Sequence, residues 1–425
     1  MDIEPGTRVK LHTKKGDYEC VVLESPSSEI VLIKLDSGYN IGIREEDILD
    51  LKVVREKEEK KVEQKKVEQK KELKNIALVV TGGTIASKLD PKTGGVKWLT
   101  DVDELLRFYP GLTEIANIKK IEIPFMKASE NMAFGDWKVL AEVVGSLLND
   151  KDIDGVIVTH GTDFLHYTAS ALSFALRDLN KPVVLTYSQR SIDRASSDAN
   201  LNLQCSARMA VSDVAEVMLV GHATNEDDYC YALKGNKCRK MHSSRRDTFR
   251  PINSSPIAKV YPDKVDILDK FNARDNKRKV IIENKFSDKV ALIKFYPGQD
   301  VEILEHYLEK GYKGVVVEAS GLGHMISDGK NNWLPKLKKV IKSGLVVCAT
   351  PQTIYGELNP KVYSSGRDLE KTGIIYLKDM LSETAFVKLG WVLGNAKLKK
   401  DVKENMLKNF AGEFNDCLKE SEFLN

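Results

Sequence analysis

The 425-residue chain is poor in cysteine, and its cysteines are not arranged in pairs. There are six, at Cys20, Cys205, Cys230, Cys238, Cys348 and Cys417. None belongs to a Cys-x-x-Cys motif and no histidine stands at zinc-site spacing, so we expect reduced thiols and no metal site. An apolar run of the ~20 residues that a membrane span requires is also missing. The acidic start, residues 1–5, lacks the basic and apolar regions of a signal peptide, so we expect a cytoplasmic protein without a membrane segment.

A strong charge of one sign is absent as well. The formal net charge is +3, from 65 Lys and Arg against 62 Asp and Glu. So small an excess does not by itself argue for nucleic-acid binding, and any such contact would have to come from a local patch or from a partner. The chain also lacks a Walker-type glycine loop with its lysine, so we expect any ATP chemistry to lie elsewhere.

The first segment, residues 1–54, is expected to form a small all-β barrel. Short apolar stretches recur in it at about ten-residue spacing, with turn signals between them. Some barrels of this kind bind proteins or RNA and others only pack or dimerise, and the sequence leaves both open. Residues 55–74 repeat the unit Lys-Lys-Val-Glu-Gln without an apolar face. That pattern is typical of a solvated helix or tether, with an RNA-binding arm as the alternative.

From residue 75 onward the pattern alternates between apolar strands and helical segments. This alternation predicts an α/β fold with parallel strands and right-handed crossovers. We expect a larger domain over residues 75–275 and a smaller one over residues 285–425. Strands are predicted at 76–80, 155–158, 183–186, 217–220, 290–295, 314–318 and 344–348. Helices are predicted at 99–109, 134–148, 164–177, 200–211, 332–343 and 382–393. A hairpin is predicted from residues 229–233 and 237–241.

Two threonine-containing loops follow buried strands and carry the candidate chemistry. The first reads Thr81-Gly82-Gly83-Thr84-Ile85-Ala86-Ser87, and the second reads Thr159-His160-Gly161-Thr162-Asp163. Open α/β sheets gather their ligands at the carboxyl ends of the strands. The glycines let the first loop turn tightly and let a substrate approach. Thr84 is therefore the candidate nucleophile, although a threonine in this place could merely cap the next helix.

Thr162, Asp163 and Lys240 complete the candidate set. A second hydroxyl, a carboxylate and an amine are the further groups needed to attack a side-chain amide without a metal. Asp163 also has a plain explanation, since a carboxylate at a helix amino terminus is favoured by roughly 0.3–1 kcal/mol. A buried Lys240 could accept a proton from Thr162, because desolvation disfavours the charged amine. The alternative is a side chain that faces solvent, as expected of the neighbouring Lys234, Lys237 and Arg239.

The chain resembles the bacterial-type L-asparaginases and glutaminases. Residues 81–87, 158–168 and 239–249 match the three signature regions of that family, and the similarity covers roughly residues 75–394. Taken alone, Thr-Gly-Gly-Thr is weak, because glycine-rich turns after strands are common. The order of the signatures, and the strand ends on which the first two lie, make the combination specific. The resemblance implies an asparaginase-like two-domain parallel-sheet fold, preceded here by the small all-β module.

The resemblance also implies roles for the candidate residues. Thr84 would attack the amide, with loss of ammonia and formation of an acyl-enzyme. Thr162 would lie beside the scissile bond, and with Lys240 it would activate the water that completes the reaction. Asp163 would hold the α-ammonium group of the substrate.

Two further features of the resemblance concern the loops around these residues. Ser129 and Glu130 lie in a segment similar to the substrate-carboxylate region of the family, so both are candidate substrate-binding residues, although a loop serine and glutamate need no such role. Many asparaginases carry a tyrosine on the loop after the first threonine, where it orients the hydroxyl. Residues 88–99 contain no tyrosine here, and Trp98 is the only aromatic. Either another residue substitutes, or a partner or tRNA completes the site.

The extra amino-terminal module points to the branch of this family that serves tRNA-dependent amidotransferases. That branch implies a glutaminase that hydrolyses L-glutamine and supplies ammonia to a partner subunit of the GatE type. The partner would activate the glutamate of Glu-tRNA(Gln) with ATP and Mg²⁺, so no cofactor is expected in this chain. A homodimer within a heterotetramer is expected. The competing hypotheses are a free-standing L-asparaginase and a non-catalytic scaffold that kept an enzyme fold.

Overall fold

The computed structural model describes residues 3–25, 29–37, 39–55, 70–89, 96–98, 111–192, 194 and 196–423. Most of the predicted tether, residues 56–69, lies outside this part of the chain, and so does the helix predicted at 99–109. None of the described helices combines the length and the apolar character needed to cross a membrane.

The amino-terminal module is a five-stranded antiparallel sheet with the order β4-β3-β2-β1-β5. Its strands are β1 (Arg8–Thr13), β2 (Gly16–Leu23), β3 (Ile30–Leu35), β4 (Asn40–Arg44) and β5 (Ile48–Arg55). Val9, Leu11, Cys20 and Ile33 are fully or almost fully buried and form its core. The all-β prediction is confirmed. Closure into a barrel is not seen among the described residues, because β5 pairs with β1 and not with β4.

The larger domain is built on an eight-stranded sheet with the order β18-β17-β14-β13-β12-β10-β6-β9. Its strands are β6 (Asn75–Val80), β9 (Asn117–Glu122), β10 (Gly155–Thr159), β12 (Val183–Thr186), β13 (Val217–His222), β14 (Cys230–Lys234), β17 (Ala258–Val260) and β18 (Val265–Ile267). Short strand pairs accompany it, formed by β7 (Ser87–Leu89), β8 (Val96–Trp98), β11 (Leu176–Arg177), β15 (Cys238–Lys240), β16 (Phe249–Pro251) and β19 (Ile281–Ile282). Along the sheet, the pairs β9–β6, β6–β10, β10–β12 and β12–β13 are parallel, as the alternation of strands and helices predicts.

Helices cover both faces of this sheet. They are α1 (Leu112–Ile115), α2 (Phe134–Leu148), α3 (Leu165–Ala175) and α4 (Ala199–Ala210). Apolar residues of α2 and α3 pack with Val79 and Val158 on one face, and those of α4 pack with Leu78 and Ile157 on the other. Because both faces are covered, the central strands are almost continuously apolar, as is typical of parallel sheets. The alternate residues of β6 and β10 thereby belong to two separate cores.

The predicted hairpin of residues 229–233 and 237–241 is wrong. Strand β14 pairs with β13 and β17 in the main sheet, whereas β15, which ends at Lys240, pairs with β16 in a separate two-stranded ribbon. The turn at Gly235 is held by the carbonyl oxygen of Val217, to which the Gly235 amide donates. The turn residues between the two segments suit a local hairpin, but β14 pairs with the open edge of β13 instead. Lys240 is therefore carried on a ribbon that projects from the sheet.

The smaller domain has four parallel strands in the order β20-β21-β22-β23. They are β20 (Val290–Lys294), β21 (Gly314–Ala319), β22 (Val346–Pro351) and β23 (Ile375–Tyr376). Its helices are α5 (Glu302–Glu309), α6 (Trp333–Lys342), α7 (Ser364–Glu370), α8 (Ser382–Gly394) and α9 (Val402–Leu407). The predicted α/β class is confirmed: a mixed sheet, parallel from β9 to β13 and antiparallel from β13 to β18, and a fully parallel four-stranded sheet follow a small all-β module.

Helix α8 lies between the two sheets and joins their cores. Its Leu389 fills the space beside Gly314 of β21, where an added β-carbon would lie 2.6 Å from the leucine. On the other side Gly390 is so close to Phe134 of α2 that an added β-carbon would lie 2.6 Å from the ring. The helix therefore fixes the smaller domain against the helices of the larger one.

A fully buried ion pair holds the carboxyl-terminal segment on α8. The Lys388 amine lies 2.6 Å from the Glu413 carboxylate, and neither side chain is exposed to solvent. The amine also donates to the carbonyl oxygens of Met406 and Lys408 at 2.9 and 2.6 Å. The carboxylate in turn accepts from the amide of Ala411 at 2.7 Å.

We expect Glu413→Gln to destabilise the protein by about 3–5 kcal/mol, because it leaves the buried Lys388 charge without its partner. Chemical denaturation followed by circular dichroism measures the change in the free energy of unfolding. Asp368→Asn is the matched control, since Asp368 forms an exposed pair with Lys371 whose side chains are 51% and 73% accessible. Equal stability of the two variants would show that the buried pair contributes nothing beyond an exposed one.

Candidate active site

Glycine residues allow the first threonine loop to lie directly against the second. Gly82 and Gly83 have φ angles of 120° and 83°, in the region that favours glycine. A β-carbon on Gly83 would lie 2.5 Å from the backbone nitrogen of Gly161. Thr84 directly follows this contact and opens a short 3₁₀ turn, in which Gly83 is the N-cap and no side chain caps the helix. The capping explanation for Thr84 therefore finds no support in its contacts.

The two loops also start at the same level of the sheet. The parallel register pairs Val80 at the end of β6 with Thr159 at the end of β10. The amide and the hydroxyl of Thr81 both donate to the carbonyl oxygen of Thr159, at 3.2 and 2.8 Å. The carboxyl ends of β6 and β10 thus deliver Thr84 and Thr162 to one edge of the sheet.

A series of buried, hydrogen-bonded side chains contacts the second threonine loop. His160 is fully buried and its Nδ1 donates to the carbonyl oxygen of Gly161 at 2.8 Å. Its Nε2 lies 2.9 Å from the hydroxyl of Thr168, which accepts from the Trp137 indole at 3.0 Å. Burial lowers the pKa of His160 to about 4, so the ring is neutral at neutral pH. With the proton on Nδ1, His160 donates to Gly161 and accepts from Thr168, so each polar group of this series has a partner.

Lys240 joins the second loop through two short contacts. Its amine donates to Thr162 Oγ1 at 2.8 Å and to Asp163 Oδ1 at 2.7 Å. The lysine side chain is only 10% exposed, whereas the Asp163 side chain is 59% exposed. Lys240 is thus not the solvent-facing lysine of the alternative hypothesis. Asp163 offers an accessible carboxylate beside the amine, while the hydroxyl and the amine are already in contact.

The two candidate substrate-binding residues differ in their placement. Ser129 is buried, and its Oγ accepts from the amide of Phe164 at 3.3 Å. A β-carbon on Gly161 would lie 3.0 Å from the same Oγ, so Ser129 touches the second threonine loop directly. Glu130 is exposed and lines a depression of about 250 Å³ together with Ser129 and Tyr167. The structure therefore brings Ser129 into the site and leaves Glu130 on its rim.

A cleft of about 430 Å³ opens beside the Lys240 amine. It is lined by Asp163, Phe164, His166, Tyr167, Arg239, Lys240, Met241, His242, Ser243 and Glu383. Glu383 belongs to helix α8 of the smaller domain, so both domains contribute to the wall. Burial, with smaller contributions from Arg239 and Lys240, lowers the pKa of His166 to about 3 and keeps that ring neutral.

Two residues expected to face solvent are held by carboxylates. Lys237 is 3% exposed in its side chain and lies 2.6 Å from Asp379, whose side chain is 1% exposed. Arg239 contacts Glu383 at 3.1 Å between Nε and Oε1. Sequence reasoning missed both, because each carboxylate lies in the other domain. The one available signal was a glutamate in the first turn of the predicted helix at 382–393.

The segment after Thr84 forms a short antiparallel pair of strands. Ser87 of β7 pairs with Trp98 of β8, and Lys88 pairs with Lys97. Residues 90–95 and Leu99 of the tyrosine-free segment lie outside the described part of the chain. The first arm, β7, directly follows the 3₁₀ turn that Thr84 opens, and the second arm, β8, pairs with it.

Comparison with known families places the chain. Residues 75–272 match the model for the asparaginase N-terminal domain, and residues 289–406 match that for the glutaminase/asparaginase C-terminal domain. The fold and site therefore define an asparaginase-type protein. The solved thermostable L-asparaginase from Thermococcus kodakarensis matches 81% of this chain and 100% of its own, with a TM-score of 0.72 and 28% identity.

The remaining matches distinguish this chain from asparaginases without an amino-terminal module. Residues 3–54 match the model for the GatD N-terminal domain. The D subunit of the glutamyl-tRNA(Gln) amidotransferase of Thermococcus kodakarensis is 46% identical, over 99% of this chain and 96% of the relative. That of Pyrococcus furiosus is 46% identical, over 97% of this chain and 94% of the relative. The chain belongs to the family of glutamyl-tRNA(Gln) amidotransferase D subunits.

We expect Gly83→Ala to remove amide hydrolysis, because the added methyl group would collide with the Gly161 backbone and push Thr84 away from Thr162. The measurement is ammonia release together with the thermal midpoint. Gly135→Ala is the matched control: Gly135 lies in α2, and its β-carbon would meet nothing within 4 Å. A Gly83→Ala enzyme with wild-type kcat would show that the two loops tolerate a larger separation.

Proposed function

We propose that this chain is the glutaminase subunit of a tRNA-dependent amidotransferase. The observation that carries the proposal is the contact of Lys240 with Thr162 and Asp163, at 2.8 and 2.7 Å, beside the loop that holds Thr84. The amino-terminal module gives the second line of support, since it is shared with the D subunits and precedes the asparaginase-type domains.

The reaction begins with Thr84. Its hydroxyl oxygen attacks the side-chain amide carbon of glutamine and forms an ester, the C–N bond breaks, and the nitrogen leaves as ammonia after it takes up a proton. Water then attacks the ester carbon, glutamate is released and the Thr84 hydroxyl is restored. Thr162 and Lys240 form the adjoining pair of groups that can move the protons of these steps. Lys240→Met should therefore lower the rate by orders of magnitude.

Substrate orientation depends on the exposed side of the site. The Asp163 carboxylate touches the Lys240 amine and is still accessible, so it can also pair with the α-ammonium group of the substrate. Ser129 lies against Gly161 and is the candidate for the substrate carboxylate, with Glu130 on the rim as the weaker candidate. Backbone amides at the start of α3 could help to hold the oxyanion.

The ammonia would be used by a partner subunit of the GatE type. That partner would activate the γ-carboxyl group of Glu-tRNA(Gln) with ATP and Mg²⁺ and then amidate it, in the cytoplasm. Two copies of this chain with two partner chains would form the working complex. The names of the relatives support this part of the proposal. Each relative is named as an amidotransferase subunit, and this chain matches each over nearly its whole length.

A free-standing L-asparaginase is the second candidate, favoured by the likeness to the solved L-asparaginase. Assays of ammonia release from glutamine and from asparagine distinguish the two functions. The amidotransferase hypothesis predicts a preference for glutamine that depends on the partner and Glu-tRNA(Gln), whereas a free asparaginase predicts full activity on asparagine by the chain alone. No release under any condition would favour the non-catalytic scaffold.

We expect Thr84→Val to abolish glutamine hydrolysis while the fold stays intact, because valine keeps the shape of threonine and lacks the hydroxyl. Steady-state ammonia release and circular dichroism test the two parts of the expectation. Thr84→Ser is the control, since it keeps a hydroxyl at the same position and should retain part of the activity. A Thr84→Val enzyme with more than trace activity would move the nucleophile to Thr162.

We also expect glutaminase activity to be low in the isolated chain and to rise when the partner and Glu-tRNA(Gln) bind. The tyrosine that orients the nucleophile in many asparaginases is missing from residues 88–99, and a displacement of about 1 Å can cost ~10²-fold in rate. The increase should appear mainly in kcat, with a smaller change in KM. Equal kcat for the chain alone, with partner, and with partner and Glu-tRNA(Gln) would show that the loop is already competent.

A further inference from the structure

Lys240 lies on a very short ribbon that offers it little intrinsic support. Strand β15 has three residues, and its one strand partner in the described part of the chain is β16, also of three residues. One backbone hydrogen bond extends the ribbon at each end: the amide of Met241 donates to the carbonyl oxygen of Thr248 and that of Ile252 to the carbonyl oxygen of Lys237, both at 2.8 Å. An isolated two-stranded ribbon is marginally stable at best. The position of the Lys240 amine must therefore depend on contacts that the ribbon makes with its surroundings.

One of these contacts comes from the residue before Lys240. Arg239 Nε lies 3.1 Å from Oε1 of Glu383, whose side chain is only 5% exposed. Successive side chains leave a strand on opposite faces. The Arg239–Glu383 pair and the Lys240–Thr162 contact consequently restrain the same strand from two sides.

The Glu383 carboxylate lies in the first turn of α8. The hydroxyl of Ser382 lies 2.7 Å from Glu318 Oε1 and 3.1 Å from Glu383 Oε2, so its one hydrogen lies between two carboxylates and is closer to Glu318. The helix amino terminus also favours a negative charge at this point. His166 lies 3.9 Å from Glu383, but its ring is neutral, so Arg239 is the cation that this carboxylate meets.

The same helical turn contacts the other elements that frame the site. The Thr384 hydroxyl donates to the carbonyl oxygen of Asn236, just before β15, at 2.8 Å. It also lies 3.1 Å from the hydroxyl of Ser170 on α3, the helix that follows Thr162 and Asp163. The first turn of α8 therefore contacts both the segment that leads into the ribbon of Lys240 and helix α3, which follows Thr162 and Asp163.

We propose that Glu383 is a positioning residue which, through Arg239, sets the Lys240 amine against Thr162. It does not touch the reacting atoms. Its carboxylate fixes the ribbon relative to the second threonine loop, and it places the catalytic geometry under the control of the smaller domain. The inference rests on the proposed function, in which Lys240 and Thr162 act as a pair.

The first test compares kcat and KM for glutamine in the complex of this chain with its partner and Glu-tRNA(Gln). Glu383→Gln keeps the size of the side chain and removes its charge. We expect kcat to fall about 10- to 100-fold, because a displaced Lys240 loses its alignment with Thr162. KM should change little, because Asp163 and Ser129 keep their places. A change confined to KM, or no change, would overturn the inference.

A double-mutant cycle shows whether Glu383 acts through Lys240. In a Lys240→Met enzyme the additional Glu383→Gln substitution should lower kcat no further, because the group that it positions is already gone. An equal proportional loss in the wild-type and Lys240→Met backgrounds would mean that Glu383 acts by another route, and the inference would be wrong.

Glu413→Gln is the control for a general loss of stability. Glu413 is a buried, paired carboxylate of the same domain, and its partner Lys388 lies on the same helix as Glu383. It should reduce stability and leave kcat unchanged at temperatures where the variant stays folded, whereas a parallel fall in kcat would show that any damage to this domain affects the rate.

Arg239→Lys and Arg239→Met keep the test valid if Glu383→Gln does not fold. The Arg239 side chain is 27% exposed, so its replacement leaves a smaller defect than that of the buried carboxylate. The lysine variant, which keeps a cation for Glu383, should retain more activity than the methionine variant; the reverse order would contradict the inference. A wild-type complex that releases no ammonia would overturn the proposed function itself, whereas an active wild type with unaffected Glu383 and Arg239 variants would overturn only this inference.

Discussion

The common register of β6 and β10 is the constraint on which the site depends. The two strands are parallel neighbours that end together, and Thr81 is tied to Thr159 by two hydrogen bonds at that point. The loops that follow must then diverge or touch. They touch, because Gly83 presents no side chain to the Gly161 backbone. The hydroxyl-bearing residues Thr84 and Thr162 each follow this contact by one position, so a backbone contact places both on one edge of the sheet.

The amine of the site has a different structural origin. Lys240 does not stand at the end of a parallel strand; it is carried by a ribbon outside the main sheet and reaches Thr162 from the side. Helix α8 of the smaller domain braces that ribbon through Glu383, and it packs on α2 through Gly390. The smaller domain is therefore part of the frame of the site.

The buried polar groups around His160 and around Lys388 form two sets in which each group has a partner. His160 is neutral and completes a hydrogen-bonded chain with Thr168 and Trp137. Lys388 is paired with Glu413 and also donates to two carbonyl groups. Unpaired groups of this kind would cost several kcal/mol each, so such sets permit few alternative arrangements. The His160 set contacts the second threonine loop and gives that loop the rigidity that aligned catalytic groups require.

The amino-acid sequence by itself determined the regular elements of the larger domain and the chemical types at its strand ends. The strand at 183–186 and the helix at 134–148 were predicted with the bounds that the structure shows, because long apolar or periodic patterns depend little on distant contacts. Only the tertiary structure decided how β14 and β15 pair, since their short segments suit a hairpin locally and the edge of β13 competes for β14. The tertiary structure also decided how the neighbouring cations are held. Lys237 pairs with Asp379 and Arg239 with Glu383, whereas Lys240 contacts Thr162 as the family resemblance implies. Asp379 and Glu383 belong to the smaller domain, so the first two pairings depend on how the domains pack.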